Sequence, residues 1–118
     1  MPENEKLYDT QILVKTHDAD LDFVKYMVSV FLEHMPDYNT NLEKAASESD
    51  WKGVFFFAHK MKASIDLFDM KQLRDFIRQL EQKAKTNTNT ETIAADVQFV
   101  SDNIKRCIDQ MKADFGFN

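Results

Sequence analysis

His59 and Lys62 lie three residues apart in the run FAHKMKAS (residues 57–64), and their types and spacing suit phosphoryl transfer. Residues three apart share one face of a helix, so the lysine lies one turn beyond the imidazole. Neutral imidazole is a good nucleophile near neutral pH because its unperturbed pKa is about 6.5. Its attack on a phosphoryl donor forms an N–P bond and adds negative charge, which Lys62 can offset while donating hydrogen bonds to phosphate oxygens.

The helix that carries this pair is predicted over residues 51–68, and its apolar pattern leaves the histidine at the surface. The buried stripe at helical spacing is Val54, Ala58, Met61, Ile65 and Phe68. His59 lies one position off this stripe, so we expect its side chain to be at least partly exposed. Ala63 is small, which leaves room for a phosphate and for a docking partner.

Three consecutive phenylalanines, residues 55–57, precede the histidine, and a helix cannot bury three consecutive side chains equally. Most of this aromatic surface is expected to pack in the core, but Phe55 or Phe56 should reach the surface near His59. We predict that these two residues join Ile12 and Met27 in an apolar docking patch.

The length and composition favour one helical domain over residues 1–118. The 118 residues are 43% hydrophobic and 30% charged, as in globular proteins, and two Gly and two Pro leave few turns. The periodicity predicts a short helix near 10–16 and longer helices over 20–46, 51–68, 69–85 and 91–111, with a polar loop at 86–90. The fold class is therefore all-α: an antiparallel up-down four-helix bundle with a short N-terminal capping helix.

Four details of these helices can be tested. Asp18 and Asp20 should start the second helix, whose first buried residue is predicted to be Leu21. Pro36 should kink or briefly break that helix, because it lacks an N–H and clashes with the preceding turn. Asp50 and Asp69 are predicted N-caps of the two helices that follow.

The charge distribution argues against nucleic acid as a partner. The net charge is −5, and residues 1–50 carry eleven acids against four bases. Residues 59–85 reverse this balance, with seven bases against four acids. A solvated helix face of chance composition is one explanation of this excess, and a patch that favours anions beside His59 is the sharper hypothesis.

The single cysteine, Cys107, excludes an internal disulfide, which fits a reducing compartment. Its spacing places it at the flank of the core of the last helix, so we interpret it as a packing residue. The N-terminus is acidic where a secretory signal would be basic, and no apolar run reaches membrane-spanning length. We therefore expect a cytoplasmic protein without membrane association. The Met1 start favours a free-standing chain, although a segment of a larger kinase stays open.

The sequence resembles the histidine-containing phosphotransfer (HPt) domains of phosphorelays. The resemblance covers nearly the whole chain and is carried by Met35-Pro36, Asp50-Trp51, Ala58-His59-x-x-Lys62-Ala63-Ser64, Leu73 and Leu80-Glu81. The family pattern reads Ala-His-x-Leu-Lys-Gly-Ser, so Met61 replaces Leu and Ala63 replaces Gly. The resemblance implies His59 as phospho-acceptor, Lys62 as phosphate stabiliser and Glu81 as the group that orients the imidazole.

Two residues depart from the family pattern. Asp66 occupies a position that is often small, where its charge could oppose a phosphate, and Asp69 stands where the family usually has Gly. A capping role for Asp69 would explain the second departure.

The resemblance also implies the partners: a sensor or hybrid histidine kinase, and response-regulator receiver domains that dock on the apolar patch. The chain has no Walker loop, no acid cluster for Mg²⁺ and no Glu-x-x-His pair, so no cofactor is expected and Mg²⁺ belongs in the receiver. We expect a monomeric phosphocarrier and not an enzyme, because a histidine kinase or phosphatase needs a nucleotide-binding segment. A helical adaptor that binds partners without being phosphorylated is the alternative.

Overall fold

Five α-helices make up most of the chain in a computed structural model that describes residues 5–17 and 20–118. They are α1 (Gln11–His17), α2 (Leu21–Ser47), α3 (Trp51–Leu67), α4 (Lys71–Thr86) and α5 (Ile93–Phe115), and a 3₁₀ turn at Thr90–Thr92 leads into α5. Asp18 lies outside the described residues. The predicted all-α fold is confirmed, with α1 as the short N-terminal helix.

Helices α2 to α5 form a closed ring of neighbours in which α3 packs on α2 and α4, and α5 packs on α2 and α4. The connections from α2 to α3 and from α3 to α4 are short, so these neighbours run antiparallel. A Cβ added to Gly53 of α3 would lie 3.0 Å from the Cβ of Ala45 in α2, which fixes the register of this pair. The up-down bundle is thus the predicted one.

The N-caps and the core follow the sequence pattern in most places. Asp20 and Asp50 cap α2 and α3 by accepting hydrogen bonds from the backbone N–H groups of Phe23 and Gly53. The predicted core stripe of α3 is buried throughout, and Cys107 is buried in α5. Burial raises the pKa of its thiol to about 12, so it packs as a small apolar side chain.

Three predictions about helix ends and interruptions are wrong. Helix α2 continues through Pro36 without a break, because residues on both sides of it, Met35 and Asn39, are held in the core. Leu21 is 68% exposed, since it is the first residue of α2. Asp69 does not cap α4: the residue before that helix is Met70, which makes no side-chain cap hydrogen bond.

Asp69 instead ends α3. Its φ of +49° lies in the left-handed region, where Gly is favoured and Asp is tolerated. The N–H of Met70 then reaches back to the carbonyl oxygen of Ile65 at 3.0 Å, which satisfies the end of the helix. This conformation explains why Gly is usual here in the family, and Arg74 pairs with the carboxylate that replaces it.

An N-terminal strap, residues 5–9, ties the start of α1 to the C-terminal ends of α3 and α5. The N–H of Leu7 donates to Gln110 Oε1 at 2.8 Å, the Tyr8 hydroxyl donates to Asp114 at 2.5 Å, and Lys6 forms an ion pair with Asp114. The N–H of Asp9 donates to the carbonyl oxygen of Phe68, at the end of α3, at 2.8 Å. The strap therefore fixes where α1 begins.

The strap makes stability depend on pH through Asp114. The hydrogen bond from Lys6, followed by that from Tyr8, holds the pKa of Asp114 below its usual value. A lowered folded pKa stabilises the protein above the unfolded value of about 3.9, and this contribution is lost as the pH falls through the folded pKa. Asp114→Asn should lower the free energy of unfolding by about 1 kcal/mol at pH 7. Urea unfolding should show a smaller difference from wild type at pH 3, and an equal difference at both values would contradict the assignment.

Candidate functional site

His59 lies on the outer face of α3, beside the groove between α3 and α4. Its side chain is 60% exposed, whereas Ala58 and Met61 on either side of it are fully buried. The predicted exposure follows from the apolar stripe, which turns α3 so that the imidazole faces solvent. A partner protein can therefore reach the ring without any rearrangement of the bundle.

Glu81 of α4 faces the ring from across the groove. Its Oε2 lies 3.4 Å from Nδ1 of His59, slightly longer than a good N–H···O hydrogen bond. The Glu81 side chain is only 18% exposed, so its position is set by the packing of α4, where Leu80 is fully buried. Because the carboxylate approaches Nδ1, the other ring nitrogen, Nε2, is the one left for a reaction partner.

Lys62 is bound to the same carboxylate. Its Nζ donates a hydrogen bond of 3.2 Å to Oε1 of Glu81 and lies 3.2 Å from Oε2. The lysine therefore forms one cluster with His59 and Glu81. The partner of the lysine could not be found from spacing alone, since it comes from another helix.

The two candidate aromatic residues take different positions around the histidine. The ring of Phe55 stacks on the imidazole, with centroids 5.8 Å apart and planes inclined by 25°. Phe56 is 50% exposed and lies under Nζ of Lys60, which is 5.4 Å from the centroid of its ring. The structure thus places both phenylalanines next to His59 or at the surface, as expected from the run of three.

On the other side of His59, Ala63 is exposed and Asp66 is paired. The Asp66 carboxylate lies 2.7 Å from Nη2 of Arg78 and 4.0 Å from Nε of Arg74, both in α4. These arginines offset the charge that could oppose a phosphate. Sequence reasoning missed both partners because they depend on the register between α3 and α4.

Ile12 and Met27 are half-buried at the opposite end of α3 from Phe55 and Phe56. Ile12 lies in α1, which starts beside Phe68, while the antiparallel register puts Met27 level with the C-terminal end of α3. The C-terminal end of α3, at Leu67, is about 12 Å along the helix axis from His59. A docking patch that includes all four residues would therefore extend to both sides of the histidine, and it stays a prediction.

A metal site and a second histidine are two further features to consider in the described residues. Across 5–17 and 20–118, no group of three or more His, Cys, Asp or Glu side chains could hold a metal ion. His34, the other histidine whose side chain is described, lies on α2 and stacks on Tyr38, 6.1 Å between centroids. None of the helices in these ranges is long and apolar enough to cross a membrane.

A comparison with protein families agrees with this geometry. The family model described as "Hpt domain" matches residues 26–114, which include α3, α4 and the whole cluster around His59. Searches of curated proteins and of solved structures found no match to this chain.

Proposed function

The chain belongs to the Hpt domain family, whose members carry phosphoryl groups on histidine in phosphorelays, and on this premise we propose that His59 is the phospho-acceptor. The observation that carries the proposal is the cluster itself. An exposed imidazole has one nitrogen, Nδ1, facing a carboxylate at 3.4 Å, and a lysine one turn away on the same face of α3. This arrangement leaves Nε2 as the nucleophile.

In the proposed transfer step, this chain supplies the nucleophile and a receiver domain supplies the phosphoryl group. Nε2 attacks the phosphorus of an aspartyl phosphate in a receiver domain, the N–P bond forms, and the P–O bond to the aspartate breaks. The aspartate leaves as a carboxylate, and the proton on Nδ1 stays directed at Glu81, which stabilises the positive ring in the transition state. The reverse sequence passes the phosphoryl group from His59 to a receiver.

Lys62 would bind the transferred phosphoryl group. Its ammonium is flexible and partly exposed, so it can move from Glu81 toward phosphate oxygens that arrive on Nε2. Glu81 would then keep its contact with the ring nitrogen alone. We therefore expect the ion pair between Lys62 and Glu81 in the free protein to be replaced, after phosphorylation, by a contact between Lys62 and the phosphoryl group.

The remaining catalytic parts come from the partners. A receiver domain supplies the acceptor aspartate and its Mg²⁺, and a sensor or hybrid kinase supplies phosphoryl groups to the relay. This chain then acts as a monomeric phosphocarrier and not as an enzyme. Phe55, Phe56 and Ala63 lie next to the ring where a receiver must approach, and Ile12 and Met27 extend the contact toward α1.

The test is to incubate the purified protein with receiver domains carrying a ³²P-labelled aspartyl phosphate. Label should move to this chain, be lost in acid and be retained in base, as expected for phosphohistidine. The expected label sits on His59 in fragments separated after proteolysis. If no receiver or kinase of the same genome transfers label, but the protein binds receivers, the chain is an adaptor and the proposal fails.

A further inference from the structure

A small groove lies next to His59, between the start of α3 and the end of α4. Its volume is about 220 Å³, and it is lined by Lys52, Phe55, Ala84, Lys85 and Asn87. Phe55 links the groove to the histidine, because its ring also stacks on the imidazole, with centroids 5.8 Å apart. The groove thus adjoins the reacting ring without including it.

Both lysines that line the groove lie on the same helices as the residues of the candidate site. Lys52 precedes His59 by two helical turns and therefore shares its face of α3, and Lys85 follows Glu81 by one turn on α4. In the part of the chain that the structure describes, neither lysine forms an ion pair or a hydrogen bond. Their charges are not offset locally.

The opposite side of His59 is electrically different. There Asp66 pairs with Arg78 at 2.7 Å, and Asp69 pairs with Arg74, so acids and bases cancel along the α3–α4 groove. Among the described residues, the surface around the histidine is therefore asymmetric. The acids toward the C-terminal end of α3 are paired, whereas Lys52 and Lys85 on the other side, and Lys60 over the ring of Phe56, have no acidic partner. An anionic partner would be attracted to that side.

We propose that this groove receives the acidic rim of the receiver domain, next to its phospho-acceptor aspartate, and so sets the orientation in which the receiver docks on His59. The proposal rests on the proposed function and adds to it the orientation of the docked receiver domain. A phosphorylated aspartate site carries the negative charge of carboxylate and phosphate groups. Lys52 and Lys85, which are unpaired in the described part of the chain and lie beside the ring of Phe55, complement this charge. The apolar residues at the other end, Ile12 and Met27, would then meet a less charged part of the receiver.

The test compares two double charge reversals. In Lys52→Glu/Lys85→Glu, transfer from a phosphorylated receiver at low ionic strength should be about tenfold slower, because steering raises association rates by roughly 10 to 10³. The matched control is Arg106→Glu/Lys112→Glu on α5, two cations that form no ion pair among the described residues, and it should change the rate less than twofold. The difference should disappear near 1 M salt, where the Debye length is about 3 Å.

Labelling of His59 by phosphoramidate, a small phosphoryl donor, provides the second readout. It should be equal in wild type and in the groove variant, because no receiver has to dock. Equal transfer rates for the groove and control variants would overturn the proposal, and so would a loss of phosphoramidate labelling in the groove variant. If wild type accepts no label from any receiver, the proposed function itself fails.

Discussion

His59→Gln is expected to reduce phosphoryl uptake below detection while leaving the bundle intact. Glutamine has no nucleophilic nitrogen, so the N–P bond cannot form, although its amide can still contact Glu81. The side chain at this position is 60% exposed, and substitutions at such surface positions usually change stability by less than about 0.5 kcal/mol. The variant should therefore fold normally and fail only in chemistry.

The measurement is label transfer from a phosphorylated receiver, together with thermal unfolding followed by circular dichroism. His34→Gln is the matched control, because the His34 side chain is also about half exposed, on α2, away from the α3–α4 groove. It should accept label as wild type does. Equal labelling of wild type and His59→Gln would contradict the assignment of the acceptor.

The helices could be predicted because their apolar spacing directly reports which face is buried. The stripe from Val54 to Phe68 also predicted, correctly, that His59 would be exposed. The spacing of apolar residues does not predict whether a helix is continuous where tertiary packing determines this. Pro36 favours a break by its local chemistry, but the buried residues around it keep α2 continuous.

The structural role of Asp69 could not be predicted from its residue type. Aspartate is favoured at N-caps and is also tolerated in the left-handed region, so its type alone does not distinguish the start of α4 from the end of α3. The structure assigns it to the end of α3, with a φ of +49°. A cap prediction in a short connection needs the hydrogen bonds of both helices.

The candidate site could be predicted only in part, for a related reason. His59 and Lys62 lie on one helix, so their proximity follows from a spacing of three. The role of Glu81 was predicted only from the resemblance to a family. The contact of Asp66 with Arg78 was not predicted. Contacts between helices depend on register, which the spacing of apolar residues within each helix does not determine.

Lys62 and Glu81 should show strong coupling in a double-mutant cycle of transfer rates. Lys62→Ala removes the cation that binds the phosphoryl group, which is worth about 1.5–3 kcal/mol for a hydrogen bond to a charged group. It also leaves the Glu81 carboxylate without its cation, 3.4 Å from the ring that must accept a phosphate. We therefore expect a loss of about a hundredfold in the transfer rate.

Glu81→Gln alone should slow transfer about tenfold, because a neutral amide supports the positive ring less than a carboxylate does. The double variant should be about a hundredfold slower than wild type, not a thousandfold. With Gln at position 81, removing Lys62 no longer exposes a negative charge to the phosphate, so the second loss is smaller. This corresponds to a coupling energy of about 1.4 kcal/mol, which is typical of residues in direct contact.

Arg78→Ala serves as the control for effects of charge along the interface between α3 and α4. It removes a positive charge from α4 but leaves the His59, Lys62 and Glu81 cluster in place, since Arg78 pairs with Asp66. Its effect on the transfer rate should add to that of Lys62→Ala without coupling. Rates that multiply independently for Lys62→Ala and Glu81→Gln would mean that their contact at 3.2 Å has no part in the transfer step.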